Sequence, residues 1–412
     1  MADELAVWLY GDQVATIDRD RRGPRLTYTA RAMEQYELGT PLLTLALPVA
    51  PRTYPPGVVR SYLDGLLPEG EARSSIARDV GESPDDTFGL IRALGRDCAG
   101  AVIIQPADDP SPPEATTTTA EPLTIDEIGD LVSNLRSAPL GVGGRVRISL
   151  AGVQEKLVLT RMPNGEWGRP VDGTPSTHIL KPQVAQFPAI VENEAICMRI
   201  AKHLGLEVAN VETTEVAGRK LVVVERYDRE ISTDGAVARI HQEDLCQALG
   251  VAPAAKYEED GGPSLARIAK TFATVATPDS LERLLAAVVV NVLVGNGDAH
   301  AKNFSLLHER SGALRLSPLY DLVCTRHYGD DRLAMSIDGV RRTDRVTTDR
   351  IVNEAAKWGV GRRFATDFIA HLLERAEDAV AAAQDETNGV PPALVTKIKE
   401  QLAGLKVADV NP

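Results

Sequence analysis

The chain's 412 residues carry 58 acidic and 45 basic side chains, a net charge of −13, which excludes a protein that holds nucleic acid through its overall field, though not through a local basic patch. That length accommodates two or three domains with sizeable cores, and the four cysteines, Cys98, Cys197, Cys246 and Cys324, are too scattered for a metal cluster and read as small buried thiols. An acidic start, Met1 to Glu4, with no basic leader and no apolar run near 18 residues, points to a reduced, cytoplasmic protein without a membrane anchor.

Ala6 to Tyr10 and Val14 to Ile17 alternate as two strands around the Gly11-Asp12 turn. Arg60 to Leu67 reads as a helix ending at Pro68, and amphipathic helices follow at Glu71 to Val80, closed by Gly81, and at Asp86 to Leu94. Cys98 to Gln105 has the content of a buried strand. All of this reads as scaffold. From 106 to 122 the composition turns to Pro, Asp, Thr and Ala, with Thr116 to Thr119 in a row, the mark of a linker or disordered loop. Thr124 and Glu127 then form a capping box for a helix over Ile125 to Leu135.

Glycines at 141, 143, 144 and 152 free the backbone ahead of Lys156 for the close approach that phosphate oxygens require. There is no Walker A pattern, and taken alone such glycines are more often explained by an ordinary hairpin. A strand at Leu157 to Thr160, a turn at Asn164-Gly165 and a strand at Ser176 to Pro182 follow, the last placing Lys181 where a strand-borne lysine reaches α and β phosphates. The helix Ile190 to Leu204 opens with Glu192 and Glu194, suited to its dipole. Loop, strand lysine and helix glutamate in that order form the nucleotide clamp of a kinase N-lobe. Taken singly, Lys181 is also explained as a solvated strand end and Glu194 as a surface residue. Leu221 to Asp228 is an apolar strand leaving into polar chain, where a kinase crosses between lobes and Glu225 to Tyr227 would meet an adenine edge.

Beyond 240 the pattern is helical: His241 to Leu249, Ser264 to Thr274, Pro278 to Leu293, Ile351 to Trp358, Arg362 to Ala383 and Ala393 to Val407. Inside it lies the most informative stretch. The apolar run Leu284 to Val294, broken only by Asn291, stops at Gly295-Asn-Gly297, and Asp298, His300, Lys302 and Asn303 follow before an apolar strand at Phe304 to Leu307. Phosphoryl transfer needs an acid to orient and deprotonate a hydroxyl, and amide or carboxylate oxygens to hold magnesium. Asp298 and Asn303 have the five-residue separation of kinase catalytic loops. A turn at Glu309 to Gly312 and a strand at Ala313 to Leu316 return the chain to Tyr320-Asp321, so that Asp321 could share a metal ion with Asn303. Asn-Gly is also the commonest hairpin turn. Arg341-Arg342 and Arg362-Arg363 read as solvated pairs, or as a basic contact patch.

Taken together these segments resemble the HipA-type serine/threonine kinases, toxins of bacterial toxin–antitoxin pairs. The matching stretches are Leu66 to Gly70, Asp97 to Ala101, Ile148 to Lys156, His178 to Lys181, Val191 to Glu194, Val224 to Asp228, His241 to Gly250, Asn296 to Ser305 and Tyr320-Asp321, in the family's order. The resemblance implies an α+β, two-lobed protein-kinase-like fold: a β-rich subdomain at 1–105, a linker at 106–122, a kinase N-lobe at 123–228 and an all-helical C-lobe at 229–412. It implies that Ala151, Gly152, Val153, Gln154, Glu155 and Lys156 cover the phosphates of ATP, that Lys181 pairs with them, and that Glu225, Arg226 and Tyr227 hold adenine. His300, Ala301, Lys302, Asn303, Tyr320 and Asp321 would complete the ATP site, with Asn303 and Asp321 on Mg2+ and Asp298 as proton acceptor.

The same resemblance implies autophosphorylation of Ser149, which switches the kinase off by releasing the loop, with Arg145 and Arg147 as partners for the added charge. It further implies a protein substrate such as an aminoacyl-tRNA synthetase, a helix-turn-helix antitoxin that carries the complex to operator DNA, and no membrane partner. Two rival readings stand beside it. His300, two after Asp298, suits a small-molecule phosphotransferase of the aminoglycoside-kinase type. The other is a non-catalytic corepressor subunit.

Overall fold

The computed structural model describes residues 4–109, 120–135, 139–140, 148–152, 154–233, 235–309 and 311–407. The expectations for Thr116 to Thr119, for Gly141, Gly143, Gly144, Arg145 and Arg147, and for Val153 lie outside those residues. The chain divides into two compact units: Met1–Pro182 with Glu215–Arg219 and Val223–Ala254, and Gln183–Thr214 with Lys220–Val222 and Ala255–Pro412.

The first unit opens with an antiparallel sheet of β1 (Glu4–Leu9), β2 (Asp12–Asp20), β3 (Gly23–Tyr28), β4 (Thr53–Tyr54) and β5 (Val102–Pro106), in the order β4-β3-β2-β1-β5. Period-two alternation decides which face is buried: Leu5, Val7 and Leu9 of β1 and Leu26 and Tyr28 of β3 enter the core, while Asp18, Asp20 and Arg25 remain at the rim. The helices Pro56–Leu66, Gly70–Val80 and Thr87–Leu94 complete this core. Gly81 ends the second of them in the left-handed conformation that glycine adopts without strain, and the Asp86 side chain caps the third by accepting from the Gly89 amide.

A second sheet in the same unit contains β6 (Glu121–Pro122), β7 (Leu157–Arg161), β8 (Trp167–Arg169) and β9 (His178–Pro182), in the order β6-β8-β7-β9, with the end of the strand Arg219–Glu225 beyond β9. The Thr124–Glu127 capping box is present on the helix Ile125–Ser133. The helix expected at His241 to Leu249 is corrected: His241–Asp244 is a strand and only Leu245–Ala248 is helical. The Asp244 side chain accepts from the Gln247 amide and so fixes where the helix starts, while His241 bonds instead to the Leu43 carbonyl and the Tyr10 hydroxyl.

Helices dominate the second unit. The 15-residue helix Ser280–Val294 is buried along most of its length, as an unbroken apolar run requires. The helices Leu265–Val275, Thr348–Lys357, Arg362–Glu386 and Pro392–Val407 have contacts with it, and Ile190–His203 packs on Arg362–Glu386. Two hairpins interrupt the helices, Ser305–His308 with Leu314–Leu316 and Arg332–Ile337 with Val340–Arg342. No described helix is long and apolar enough to cross a membrane.

Candidate active site

In the second unit, Gly295 (φ +72°) ends the long helix by donating to the Asn291 and Val292 carbonyls. A relay of amides then shapes the loop. Buried Asn291 donates to the Ala287 carbonyl at 2.9 Å and accepts from Asn296 at 2.7 Å, and Asn296 Oδ1 accepts from the Asp298 amide at 3.1 Å. Gly297 donates to Thr325 Oγ1 at 2.9 Å, and its carbonyl accepts from the Ala334 amide at 2.7 Å. A Cβ at this position would strike the Arg332 carbonyl oxygen, so the loop crosses the second hairpin where only glycine fits.

Asp298 projects from this frame. Its Oδ1 accepts from the Tyr257 hydroxyl at 2.8 Å. Crowding by protein atoms raises its pKa above the ordinary carboxylate value; the Tyr257 bond and Lys256 pull it down, and Asp321 and Asp330 push it up. The residue is exposed, which keeps desolvation partial. His300 starts a short turn, Ala301–Asn303, in which the His300 amide donates to Asn303 Oδ1 at 3.1 Å. Ala301 and Lys302 are buried.

The hairpin brings the chain back as its spacing predicts: Asn303 Nδ2 donates to Asp321 Oδ2 at 3.1 Å. The Tyr320 hydroxyl donates to the Lys302 carbonyl at 2.6 Å and pairs with Ser305 Oγ at 2.7 Å, clasping the two arms. Asp321 itself sits at φ +59°, a left-handed conformation costing on the order of 1 kcal/mol for a residue with a Cβ, held by its surroundings at a site of interest. The donor set suits magnesium, which takes one or two protein oxygens and completes its octahedron with phosphate and water. Asn303 Oδ1 and the Asp321 carboxylate would supply such oxygens.

In the first unit, the β7–β9 ladder pairs Leu157 with Leu180, so that Lys156 and Lys181 stand at the same end of it. Both lysines are largely buried. Lys156 Nζ donates to the Ala151 carbonyl at 2.8 Å and so reaches back to the segment that holds Gly152 (φ +116°), a backbone angle that requires glycine. The segment also holds Gln154 and Glu155, both half-buried. It docks on the corner after the helix Pro56–Leu66: Gly152 bridges to Pro68, and its carbonyl accepts from the Glu69 amide. Ser149 is fully enclosed, its amide donating to the Asp97 carbonyl at 3.0 Å and its hydroxyl to the Leu66 carbonyl at 2.8 Å. The matching stretches Leu66 to Gly70 and Asp97 to Ala101 thereby acquire a role as the seat of this loop.

The Arg226 side chain turns into the first unit. Its guanidinium belongs to a buried cluster with Asp97, Asp228, Arg229, Arg239 and Ser176, bonding Asp228 at 2.8 Å and Ser176 Oγ at 2.7 Å. Its amide donates to the Thr177 carbonyl, and its carbonyl accepts from the Arg229 amide. Burial alone would raise Asp97, but Arg229, Arg226 and Arg239 outweigh it and hold the carboxyl below its ordinary range. Burial pulls Arg239 down to about 10, with Asp97 opposing. Glu225 and Tyr227 flank this anchor half-buried, with the Tyr227 hydroxyl donating to Gln242.

Sequence reasoning missed Tyr257 and Lys256, which lie in an aperiodic stretch, and the ion cluster, whose members are scattered from 97 to 239. Only proximity in space reveals either.

Two family models match the chain, a HipA N-terminal domain over residues 5–105 and a HipA-like C-terminal domain over 148–381. A putative kinase of Sinorhizobium fredii is 37% identical over 409 residues, covering 97% of each chain. The serine/threonine-protein kinase toxin HipA of Shewanella oneidensis is 33% identical over 340 residues, 78% of this chain and 76% of that one. A solved structure of HipA from Shewanella oneidensis, in complex with HipB and operator DNA, superposes with a TM-score of 0.83 at 28% identity, covering 97% of this chain and 96% of that one.

Proposed function

The chain belongs to the HipA family of serine/threonine kinases, and from that premise we propose that it is a growth-arresting toxin that uses ATP and Mg2+ to phosphorylate a protein of translation, with an aminoacyl-tRNA synthetase as the expected class. Asp298 accepts the proton of the attacking hydroxyl. Asn303 and Asp321 hold magnesium, which neutralises charge on the transferred phosphoryl group when bound. Ala151 to Lys156 cover the phosphates, Lys181 pairs with them, and Glu225, Arg226 and Tyr227 hold the base, Arg226 through its backbone. The observation that carries this reading is the Asn303–Asp321 contact at 3.1 Å, five residues beyond an exposed acid, within the segment matched to the HipA-like domain.

Ser149 is the autophosphorylation site in this reading. Its hydroxyl faces a carbonyl oxygen in a closed space, and a phosphate there would bring about −1.5 to −2 charges against that acceptor. A phosphorylated loop therefore stays out of its seat, which supports an off-switch. The relative that was solved with HipB and operator DNA supports a helix-turn-helix antitoxin as the partner, with DNA contacted mainly through it. The test is incubation with γ-labelled ATP. Wild-type protein should label Ser149 and a synthetase in extract, and Asp298→Asn should lose both and its toxicity. Growth arrest that persists in Asp298→Asn would refute a catalytic role.

A further inference from the structure

We propose that Tyr257 is a positioning residue for phosphoryl transfer: it holds one oxygen of the Asp298 carboxylate so that the other faces the acceptor hydroxyl. This rests on the assignment of Asp298 made above. The phenol donates to Oδ1 at 2.8 Å, and among the described residues no other group bonds to either carboxylate oxygen. An aspartate's terminal torsion is broad and nearly two-fold. Without a partner the carboxylate plane swings, and Oδ2 leaves the line along which it takes a proton.

Tyr257 is built to stay where it is. Its carbonyl accepts from the amides of Asp260 (3.1 Å) and Gly262 (2.9 Å), a turn so tight that a Cβ on Gly262 would overlap the Ala255 carbonyl. The residues on either side are joined to the catalytic frame. The Lys256 carbonyl accepts from the Ala301 amide at 3.3 Å, and Glu258 accepts from the Ser336 amide at 2.5 Å. The ring meets His300 edge to face, 5.3 Å between centroids at 77°, and Lys256 Nζ lies 5.8 Å from its centroid. Backbone and ring are thus held by contacts independent of the bond to Asp298, which leaves the hydroxyl aimed at the carboxylate.

In the transfer, the acceptor oxygen forms its bond to the γ-phosphorus as the bond to the bridging oxygen breaks and ADP leaves with the electron pair. The hydroxyl proton passes to Asp298 Oδ2. Tyr257 remains a donor to Oδ1 throughout and favours the ionised carboxylate before the step.

The test uses the full chain with Mg2+ and γ-labelled ATP, reading all γ-phosphate transferred to protein or water against pH. Tyr257→Phe is expected to lower kcat about tenfold, the loss of one charge-assisted hydrogen bond, with KM for ATP unchanged and the acid limb moved to higher pH. 3-Fluorotyrosine placed at position 257, a stronger donor of the same shape, should move that limb to lower pH, and this arm decides if the Phe variant does not fold. Lys256, Asp321, Asp330 and His300, the other charged or titratable groups around Asp298, are untouched in both. Retention of kcat and of the limb in the folded Phe variant, or no movement with fluorotyrosine, overturns the proposal. Wild-type transfer by Asp298→Asn would instead overturn the assignment of Asp298, a different outcome.

Discussion

Replacing Gly297 by alanine puts a methyl group into the carbonyl oxygen of Arg332, where the loop bearing Asp298 crosses the strand Arg332–Ile337. Two responses are open. If the loop holds its place, overpacking costs about 1–3 kcal/mol. If it yields, it gives up the bonds from Gly297 to Thr325 and from Ala334 to Gly297, 2.9 and 2.7 Å long, at about 1 kcal/mol each. Asp298, the next residue, then moves by roughly 1 Å, a displacement that costs on the order of 100-fold in rate. Thermal unfolding and kcat measured on the same preparation separate the responses: the first lowers stability with activity retained, the second lowers both. Gly312→Ala is the control, at a hairpin tip with φ +85° and no atom near the added carbon. It should cost about 1 kcal/mol of stability from backbone strain and leave kcat alone. Gly297→Ala with wild-type stability and turnover would refute the claim that this crossing sets the geometry of the loop.

Burial raises Glu243 from its ordinary 4.5 to about 8, while Thr44 and the Leu45 amide pull the other way. The folded chain keeps a proton there that the unfolded chain has lost, so stability contributed by this group falls as pH rises between those values. Glu243→Gln mimics the protonated form, and its unfolding free energy in urea should gain on wild type from pH 5 to pH 8 by an amount on the order of a few kcal/mol; parallel pH profiles would exclude a neutral Glu243. Asp97→Ala should destabilise by about 3–5 kcal/mol, since it leaves three buried guanidiniums facing one carboxylate. Asp97 and Asp228 have depressed pKa values in the fold, so wild type loses their contribution as pH drops through those values, and Asp97→Ala should show a shallower acid loss in the same titration.

The parts legible in sequence were those governed by neighbours along the chain. A capping box at Thr124, a glycine stop at Gly81 or Gly295, and a hairpin whose length returns Asp321 to Asn303 are all local geometry. What was missed depends on contacts distant in sequence. His241 to Leu249 carried apolar spacing that suits a helix, but bonds from His241 to Leu43 and Tyr10 draw its first residues into a strand. The inward turn of the Arg226 side chain depends likewise on Asp97 and Ser176, 129 and 50 residues away. Nothing around Tyr257 distinguishes it until Asp298, 41 residues on, is placed beside it.

Ser149 beneath the Leu66 carbonyl has a temporal meaning. If Ser149 is the self-phosphorylation site proposed above, a hydroxyl this enclosed is modified only while its segment is out of its seat, and the rate of self-silencing would be the rate of chemistry scaled by the fraction of time spent open. On that reading, whatever steadies the seat would prolong the toxic interval, and whatever loosens it would shorten that interval, with no change at Asp298. The length of an arrest would in that sense be written in the strength of one loop's docking.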